Sequence, residues 1–478
     1  MNKKLLVALL AVCLLLLCGC ATDMTGMPYS EIEAFIAENP NKKVTYTVTI
    51  DGGDTPVAVT NEDTTVILTH DAQIDSLLAQ KEYLQNLSTV DLTALTVDAA
   101  VWNRLDAAFP NADLGCKAIR ILGREYLIDT TSIDLSDLTA EQLPEAIEGL
   151  QALSSLALRE VELCKEDGTC TVTLDDAAAL CQAHPDLTYN FKMKLFGQEV
   201  STDMERLEYW RAGFKDEGLA QFRKLLPMMH KLTYLKLDWC GTTNEAMAQL
   251  RDDFPHIKVV WRIFFHEYNC LTDTLKIWAN WTVNDMNNDC LKYCTDVKYL
   301  DLGHTMITHC EWARNMPDLE VVIMGDCNLK SIEPLRDCPK ITYLEIFSSR
   351  VTDLTPLEDL KELKYLNISN LKVDDITPMY GLDNLIKVNS TMNGRIPQEQ
   401  IDKFRELQPQ CAATFLDHGN PTGYDWRYDN WGHILPRYAL LREQFGYSPV
   451  DYSRYPTGYV TEEITYESTG ITPPEAEQ

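Results

Sequence analysis

The sequence predicts an α/β repeat fold, a solenoid with a curved parallel sheet on its concave face and helices and 3₁₀ turns on its convex face. Two observations lead to this prediction. Apolar residues of the C-terminal half recur with a period of 22, and an amphipathic helix that ends at a proline recurs every 70 to 75 residues in the N-terminal half. Because one unit cannot bury its apolar face alone, such repetition indicates stacked units that share a core.

Each regular unit predicts one short strand followed by a turn. Its first apolar positions are Val297, Leu319, Ile341, Leu363 and Leu385. In the pattern LxxLxLxxxxL the leucines point inward, and the residues between them form the concave surface. The segments "SIEPL", "DLTPL" and "DITPM" predict short 3₁₀ turns, because proline disfavours a long helix. This pattern resembles the 22-residue, internalin-like class of the leucine-rich repeat family. The resemblance implies the solenoid fold and a role in binding.

The N-terminal half predicts irregular repeats. Helices are expected before Pro40, Pro110, Pro185 and Pro255, and each is followed by a β-hairpin pattern such as "GCKAIRILGREY". A fifth helix of this kind precedes Pro409. The hairpins are therefore expected as insertions in the N-terminal half of the solenoid.

The chain is expected to fall into six segments. At the N-terminus, the motif Leu17-Cys18-Gly19-Cys20 resembles that of bacterial lipoproteins, which implies a lipoprotein signal peptide (1–19) and a lipidated tether (20–28). The rest of the sequence predicts irregular repeats with helix–proline–hairpin modules (29–296), regular 22-residue repeats (297–395), an aromatic-rich C-terminal cap (396–460) and a disordered acidic tail (461–478).

The N-terminus predicts export. Two lysines precede an apolar run that is short for a membrane-spanning helix and ends in small residues. The sequence Leu17-Cys18-Gly19-Cys20 resembles the lipobox of bacterial lipoproteins. This resemblance implies lipidation of Cys20, palmitate included, and a lipid anchor at the extracytoplasmic face of the cell membrane. Two acyl chains suffice for stable anchoring. An ordinary cleaved signal with an incidental Cys20 is the alternative.

The net charge of the chain excludes one class of partner. A charge of −30 repels nucleic acid, although the same acidity also serves solubility.

The cysteines predict one disulfide and several buried thiols. Cys164 and Cys170 flank a turn-forming Asp-Gly and are the candidate disulfide. Other cysteines occur in apolar frames and are expected to be buried thiols: Cys116, Cys240, Cys327 and Cys338. We expect no metal site and no cofactor.

The concave face supplies the candidate partner-binding residues. Tyrosines, acids and amides fill its outward positions, and the candidates are Tyr234, Tyr299, Asp301, Ile323, Tyr343, Glu345, Phe347, Tyr365 and Asn367. Tyrosine combines a large contact area with a hydroxyl group, which suits recognition of a protein or a glycan. Alternatively, tyrosine occurs here because it favours strands and packs on the neighbouring strand.

The aromatic C-terminal part has two interpretations. A capping segment with a short helix at "PRYALLREQFG" would close the end of the repeat core. Alternatively, the tail binds sugar rings through the aromatic side chains of Trp426, Trp431 and Tyr438.

The sequence contains neither of the catalytic patterns GxSxG and HExxH, so we expect no enzyme. The predicted function is that of a membrane-anchored extracytoplasmic protein that presents a leucine-rich repeat surface to a protein or glycan at the cell surface. A structural spacer or scaffold of the cell envelope is one alternative. A cell-envelope hydrolase with a site in the irregular half is another.

Overall fold

The structure is a computed structural model that describes residues 21–279, 281–448 and 450–451. The predicted signal peptide, the lipidated Cys20 and the tail 461–478 lie outside these residues. One compact unit comprises the described residues up to Glu205 together with Ala220–Leu232, and the other comprises Arg206–Leu219 together with the described residues from Thr233 onward. No helix in the described part of the chain has the length and apolar character needed to cross a membrane.

The first unit alternates helices with short strands. Its helices are α1 (Tyr29–Glu38), α2 (Ala72–Ala79), α3 (Ala99–Ala108), α4 (Leu143–Ser154) and α5 (Leu174–Ala183). Its strands are β1 (Thr22–Asp23), β2 (Val44–Thr45), β3 (Thr47–Ile50), β4 (Val57–Thr60), β5 (Thr65–Ile67), β6 (Thr89–Asp98), β7 (Asp113–Ile121), β8 (Arg124–Leu127), β9 (Ser132–Asp134), β10 (Glu160–Glu162), β11 (Thr188–Asn190), β12 (Lys192–Leu195) and β13 (Gln198–Ser201). Parallel pairing joins β5, β6 and β7, and it also joins β9, β10 and β11.

The second unit contains the remaining elements, and helix α6 (Lys215–Leu225) spans the boundary between the two sets of residues. Its other helices are α7 (Asn244–Asp253), α8 (Gln398–Leu407) and α9 (Pro436–Gln444). Its strands are β14 (Arg206–Trp210), β15 (Tyr234–Asp238), β16 (Lys258–Phe265), β17 (Tyr268–Leu271), β18 (Lys276–Trp278), β19 (Tyr299–Asp301), β20 (Val321–Ile323), β21 (Tyr343–Glu345), β22 (Tyr365–Asn367), β23 (Lys387–Ser390) and β24 (Ala412–Phe415).

The helices that were predicted to end at a proline do so. Helices α1, α3, α5, α7 and α8 each end two residues before the proline. The residue between helix and proline leaves the helical conformation, as Phe109 does with φ −129° and ψ 63°. A proline ring crowds the backbone of the residue before it and disfavours the α conformation there.

The hairpins predicted after these helices are also present. Antiparallel pairs join β3 with β4, β7 with β8, β12 with β13 and β16 with β17. Three of the turns place a non-glycine residue in the left-handed region, at Leu122, Phe196 and His266. Such conformations match the twist of a two-stranded ribbon.

The regular repeats form a seven-stranded parallel sheet, from β18 to β24 in chain order. From β19 to β23 each strand pairs with the next at the 22-residue offset, so that Tyr299, Val321, Tyr343, Tyr365 and Lys387 lie side by side. The leucine positions between them are fully buried at Leu300, Val322, Leu344, Leu366 and Val388. The return turns are 3₁₀ segments, for example Glu333–Asp337 and Thr355–Asp359, each with a proline in its first turn. The fold is therefore a leucine-rich repeat solenoid, as predicted.

The predicted disulfide is present. Cys164 and Cys170 are bonded with Cα atoms 4.3 Å apart, and the four cysteines expected as buried thiols are free and buried.

The predicted tether is partly folded. Its strand β1 pairs in parallel with β2, and the Thr22 amide donates to the Lys43 carbonyl at 2.8 Å.

Candidate binding surface

The predicted binding residues of the regular repeats share one face of the sheet. We call this the tyrosine face, and its residues are Tyr299, Asp301, Val321, Ile323, Tyr343, Glu345, Tyr365 and Asn367. They alternate along β19–β22 with the core leucines and therefore point to the opposite side. The face is buried, and its tyrosines are only 1–6% exposed.

The cover of the tyrosine face is the C-terminal segment, which we define as residues 421–447. Trp426, Tyr438, Leu440, Leu441 and Phe445 form one apolar cluster with the tyrosine face. Trp426 is fully buried, and its ring centroid lies 5.5 Å from that of Tyr343. Trp278 packs against Tyr447 at 4.7 Å in an edge-to-face arrangement.

Glu345 lies at the centre of this contact and is fully buried. Its Oε1 accepts from the indole Nε1 of Trp426 at 2.8 Å, and the Tyr343 hydroxyl donates to the same oxygen. The Arg427 guanidinium donates through Nε to Oε1 at 3.1 Å and through Nη2 to Oε2. This bidentate geometry is among the strong, charge-assisted forms of hydrogen bonding. Burial, reinforced by the nearby carboxylate, raises the pKa of Tyr343 well above its ordinary value, so this hydroxyl remains a donor.

Other residues of the C-terminal segment make polar and cation–π contacts with the rest of the tyrosine face. The Tyr447 hydroxyl donates to the Asp301 carboxylate. Asn367 Nδ2 donates to the Pro421 carbonyl at 2.8 Å, and the Arg437 guanidinium lies 4.6 Å from the centre of the Tyr365 ring. Burial raises the pKa of Asp301, and hydrogen bonds from Tyr447 and the Gly303 amide oppose this shift.

Phe347, two residues beyond Glu345, is also under the segment. Its ring lies 5.4 Å from the Arg427 guanidinium, and only 5% of the residue is exposed. A Cβ atom on Gly325 would lie 2.3 Å from this ring, so the ring occupies space that only glycine leaves free.

The structure thus corrects one expectation from the sequence. Eight of the nine candidate residues do lie together, but the C-terminal segment covers them, and they are not open to a partner in this conformation. They are Tyr299, Asp301, Ile323, Tyr343, Glu345, Phe347, Tyr365 and Asn367. Their role in binding a partner stays a prediction. Of the aromatic candidates in the tail, Trp426 and Tyr438 are buried, whereas Trp431 is 85% exposed.

Tyr234 is the ninth candidate and lies in another sheet, on β15. Its hydroxyl donates to Asp273 Oδ2 at 3.0 Å, and the Arg206 guanidinium stacks 3.6 Å from its ring centre. Tyr234 is half-buried, so it keeps part of its surface accessible.

An exposed set of side chains that the sequence analysis did not identify lies at the ends of the strands of that sheet. We call it the aromatic patch, and its residues are Trp210, Arg211, Trp239 and Phe264. The Arg211 guanidinium lies 4.5 Å from the Trp210 ring and 5.7 Å from the Trp239 ring, and Trp239 contacts Phe264 edge to face at 4.8 Å. Arg211 and Trp239 adopt left-handed backbone conformations with φ of 55° and 59°. The three aromatic residues are 46–65% exposed.

Comparisons with known proteins add the following findings. A search of protein-family models gives no match, and a search of curated proteins gives none either. The chain is similar to the solved structure of internalin C2 from Listeria monocytogenes, at 15% identity over 47% of this chain and 80% of that one, with a TM-score of 0.25. It is also similar to an internalin (inlF) from the same organism, at 15% identity over 76% of this chain and 90% of that one, with a TM-score of 0.25. A leucine-rich repeat protein of Leptospira interrogans matches at 14% identity over 70% of this chain and 74% of that one, with a TM-score of 0.28. The strand register of β19–β23 shows the repeat fold directly.

Proposed function

We propose that the protein is a lipid-anchored binding protein at the extracytoplasmic face of the cell membrane, and that it presents the aromatic patch to a protein or glycan partner. The difference in exposure between the two surfaces favours the aromatic patch as the binding site. The tyrosine face is occupied by the protein's own C-terminal segment, whereas Trp210, Trp239 and Phe264 are exposed.

The chemistry of the aromatic patch supports recognition. Tryptophan and arginine are enriched among the residues that dominate binding energy in interfaces. The flat rings can stack on a sugar or on an apolar side chain, and Arg211 adds a cation and hydrogen-bond donors. A cluster of exposed aromatic side chains is typical of interaction sites.

The anchoring part of the proposal is supported by the lipobox resemblance at Cys20. Strand β1 begins at Thr22, two residues after this cysteine, and pairs with β2. A lipid on Cys20 would therefore hold the first unit close to the membrane surface.

Metabolic labelling with a palmitate analogue tests the anchor. We expect the label on the wild-type protein and on Cys13→Ala, and no label on Cys20→Ser. Equal labelling of Cys20→Ser would contradict the anchor. Cys13 is a suitable control because it lies in the same apolar run but outside the lipobox.

Affinity capture with soluble residues 21–478 tests the binding surface. Solubilised cell envelope and a glycan array are probed with the wild type, with the double variant Trp210→Ala/Trp239→Ala and with Trp431→Ala, which removes an exposed tryptophan elsewhere. The proposal expects a partner that the double variant loses and Trp431→Ala retains. Loss of the partner by Trp431→Ala alone would place the site at the tail tryptophan and contradict the proposal. Equal capture by all three proteins, or no partner at all, would contradict the aromatic patch as a binding site.

A further inference from the structure

We propose that the tyrosine face is a second binding site, specific for a polypeptide segment that carries an arginine beside an aromatic residue. In this proposal the C-terminal segment is its intramolecular occupant, which a partner polypeptide of the same chemistry must displace. The inference concerns a surface other than the aromatic patch and does not depend on what binds there.

The charge of the face defines the ligand. Its eight residues include two carboxylates, Asp301 and Glu345, and no lysine or arginine, and the half-buried Lys387 follows Tyr365 at the edge of the same row. The remaining residues are aromatic, aliphatic or amide side chains. A ligand that pairs with this surface must therefore bring its own cation and hydrogen-bond donors, because a buried carboxylate without a partner is strongly unfavourable.

The occupant supplies those groups at matching positions. Arg427 pairs with Glu345, the adjacent Trp426 donates to the same carboxylate, and Tyr447 donates to Asp301. Arg437 lies over the ring of Tyr365. Arginine rather than lysine is expected here, because two parallel N–H groups engage both oxygens of Glu345.

The segment contacts the sheet as a ligand and does not extend it. The sheet ends at β24, and the backbone hydrogen bonds of the C-terminal segment run within the segment, as in the bridge between Tyr428 and Ile434. Its contacts with the tyrosine face are made by side chains, together with the Pro421 carbonyl, which accepts from Asn367 of this face and from Asn389 on the next strand. Displacement of the segment would therefore leave the strand pairing intact.

The residues that join the C-terminal segment to the tyrosine face are of the types found in recognition interfaces. Tryptophan, tyrosine and arginine dominate protein–protein hot spots. A permanent cover would gain as much stability from apolar residues of similar volume, because the desolvation of a buried ion pair offsets its attraction. The Glu345–Arg427 pair instead confers selectivity for one sequence.

A short connection allows the segment to leave. Residues 417–420 lie between β24 and the segment and are exposed. Gly419 adopts φ +118°, a conformation that other residues rarely take. A few exposed residues of this kind can absorb the change in backbone direction that displacement requires.

Peptide exchange tests the proposal in the otherwise intact chain. A protease site is inserted between Gly419 and Asn420 in residues 21–478, the chain is cut, and a fluorescent synthetic peptide of residues 420–448 is added. Fluorescence anisotropy reports peptide binding to the cut and uncut proteins. We expect the cut protein to exchange its segment for the labelled peptide, and the uncut protein to bind that peptide about tenfold or more weakly, because the tethered segment competes.

Variants of the peptide and of the face establish specificity. An Arg427→Ala peptide should bind the cut protein about tenfold or more weakly than the natural peptide. An Arg427→Lys peptide should fall between them. On the protein, Glu345→Gln should weaken binding, whereas Glu358→Gln, an exposed acid on a neighbouring 3₁₀ turn, should not.

A second variant of the uncut chain tests the proposal without proteolysis. The uncut variant Trp426→Ala/Arg427→Ala should bind the natural peptide more tightly than the wild type does, with its circular dichroism unchanged. The proposal is overturned if the cut protein retains its segment without exchange, or if the natural and Arg427→Ala peptides bind equally. Loss of the native circular dichroism in the uncut variant would also overturn it, because the segment would then be part of the core.

Discussion

Arg427 and Glu345 are 82 residues apart in the sequence, and they form a bidentate ion pair in which Glu345 is fully buried and the Arg427 side chain is 11% exposed. This pair joins the C-terminal segment to the middle of the regular repeats. Most of the other ion pairs in the described residues lie at the surface, where each contributes little. Removal of one partner of the buried pair would leave the other charge buried and unpaired, which costs far more than loss of a surface pair.

The first prediction concerns that pair. Replacement Glu345→Ala leaves Arg427 buried without its carboxylate, and we expect it to lower the local free energy of opening by about 3 kcal/mol or more. Native-state hydrogen exchange in helix α9 of the C-terminal segment measures this change. The matched control is Lys340→Ala, which removes a surface pair with Asp318 and should cost less than about 1 kcal/mol. Equal losses in the two variants would show that the buried pair is no stronger than a surface pair.

The second prediction concerns pH. Burial raises the folded-state pKa of Asp301 above its ordinary value of 3.8. The stability that this group contributes is fully present below the unfolded pKa, and it is lost as the pH rises through the raised folded pKa. The variant Asp301→Asn lacks this titration but retains an acceptor for Tyr447.

Thermal unfolding of both proteins at about pH 3.5, below the ordinary pKa of the group, and at about pH 7 measures the effect. We expect the melting temperature of the wild type, relative to Asp301→Asn, to be lower at the higher pH. A difference that is constant or has the opposite sign would contradict the burial of an ionisable Asp301. The other carboxylates titrate in both proteins, so their contributions cancel in the comparison.

The third prediction concerns the ring of Phe347. The variant Gly325→Ala places a methyl group where this ring lies, and we expect a destabilisation of about 1–3 kcal/mol together with faster exchange in the C-terminal segment. Gly381→Ala is the control, because a Cβ there meets only the flexible end of Lys361 at 3.5 Å. Hydrogen exchange that does not distinguish the two variants would argue against the packing of Phe347 under the segment.

The fourth prediction concerns the disulfide. The two cysteines are six residues apart, and closure of so short a loop stabilises the folded state by about 2 kcal/mol. The double variant Cys164→Ser/Cys170→Ser should therefore exchange faster in the loop between them. Cys411→Ser, which removes a half-buried free thiol, should leave that loop unchanged. No difference between the variants in this loop would contradict a stabilising disulfide.

The sequence predicts the repeats well because their determinants are local. The helices before Pro110 and Pro255, the hairpins and the 22-residue strands each follow from residues within one unit. The helix at 436–444 is likewise predicted from its own residues.

The cover of the tyrosine face could not be predicted in this way, because the contact between Glu345 and Arg427 follows no period. One signal was available, namely that Asp301 and Glu345 lie on an otherwise tyrosine-rich face while an unusually aromatic segment with three arginines follows the repeats. The aromatic patch was missed for a related reason. Trp210 and Trp239 are brought together by the pairing of β14 with β15 and by left-handed conformations that the sequence does not reveal.

Hydroxyl-radical footprinting of residues 21–478, read out by mass spectrometry, tests the covered tyrosine face most directly. The structure predicts rapid oxidation of Trp210, Trp239 and Trp431, which are exposed, and strong protection of Trp426 and Tyr343, which are buried. Oxidation of Trp426 and Tyr343 as fast as that of Trp431 in the folded protein would contradict the cover and would restore the tyrosine face as an open surface.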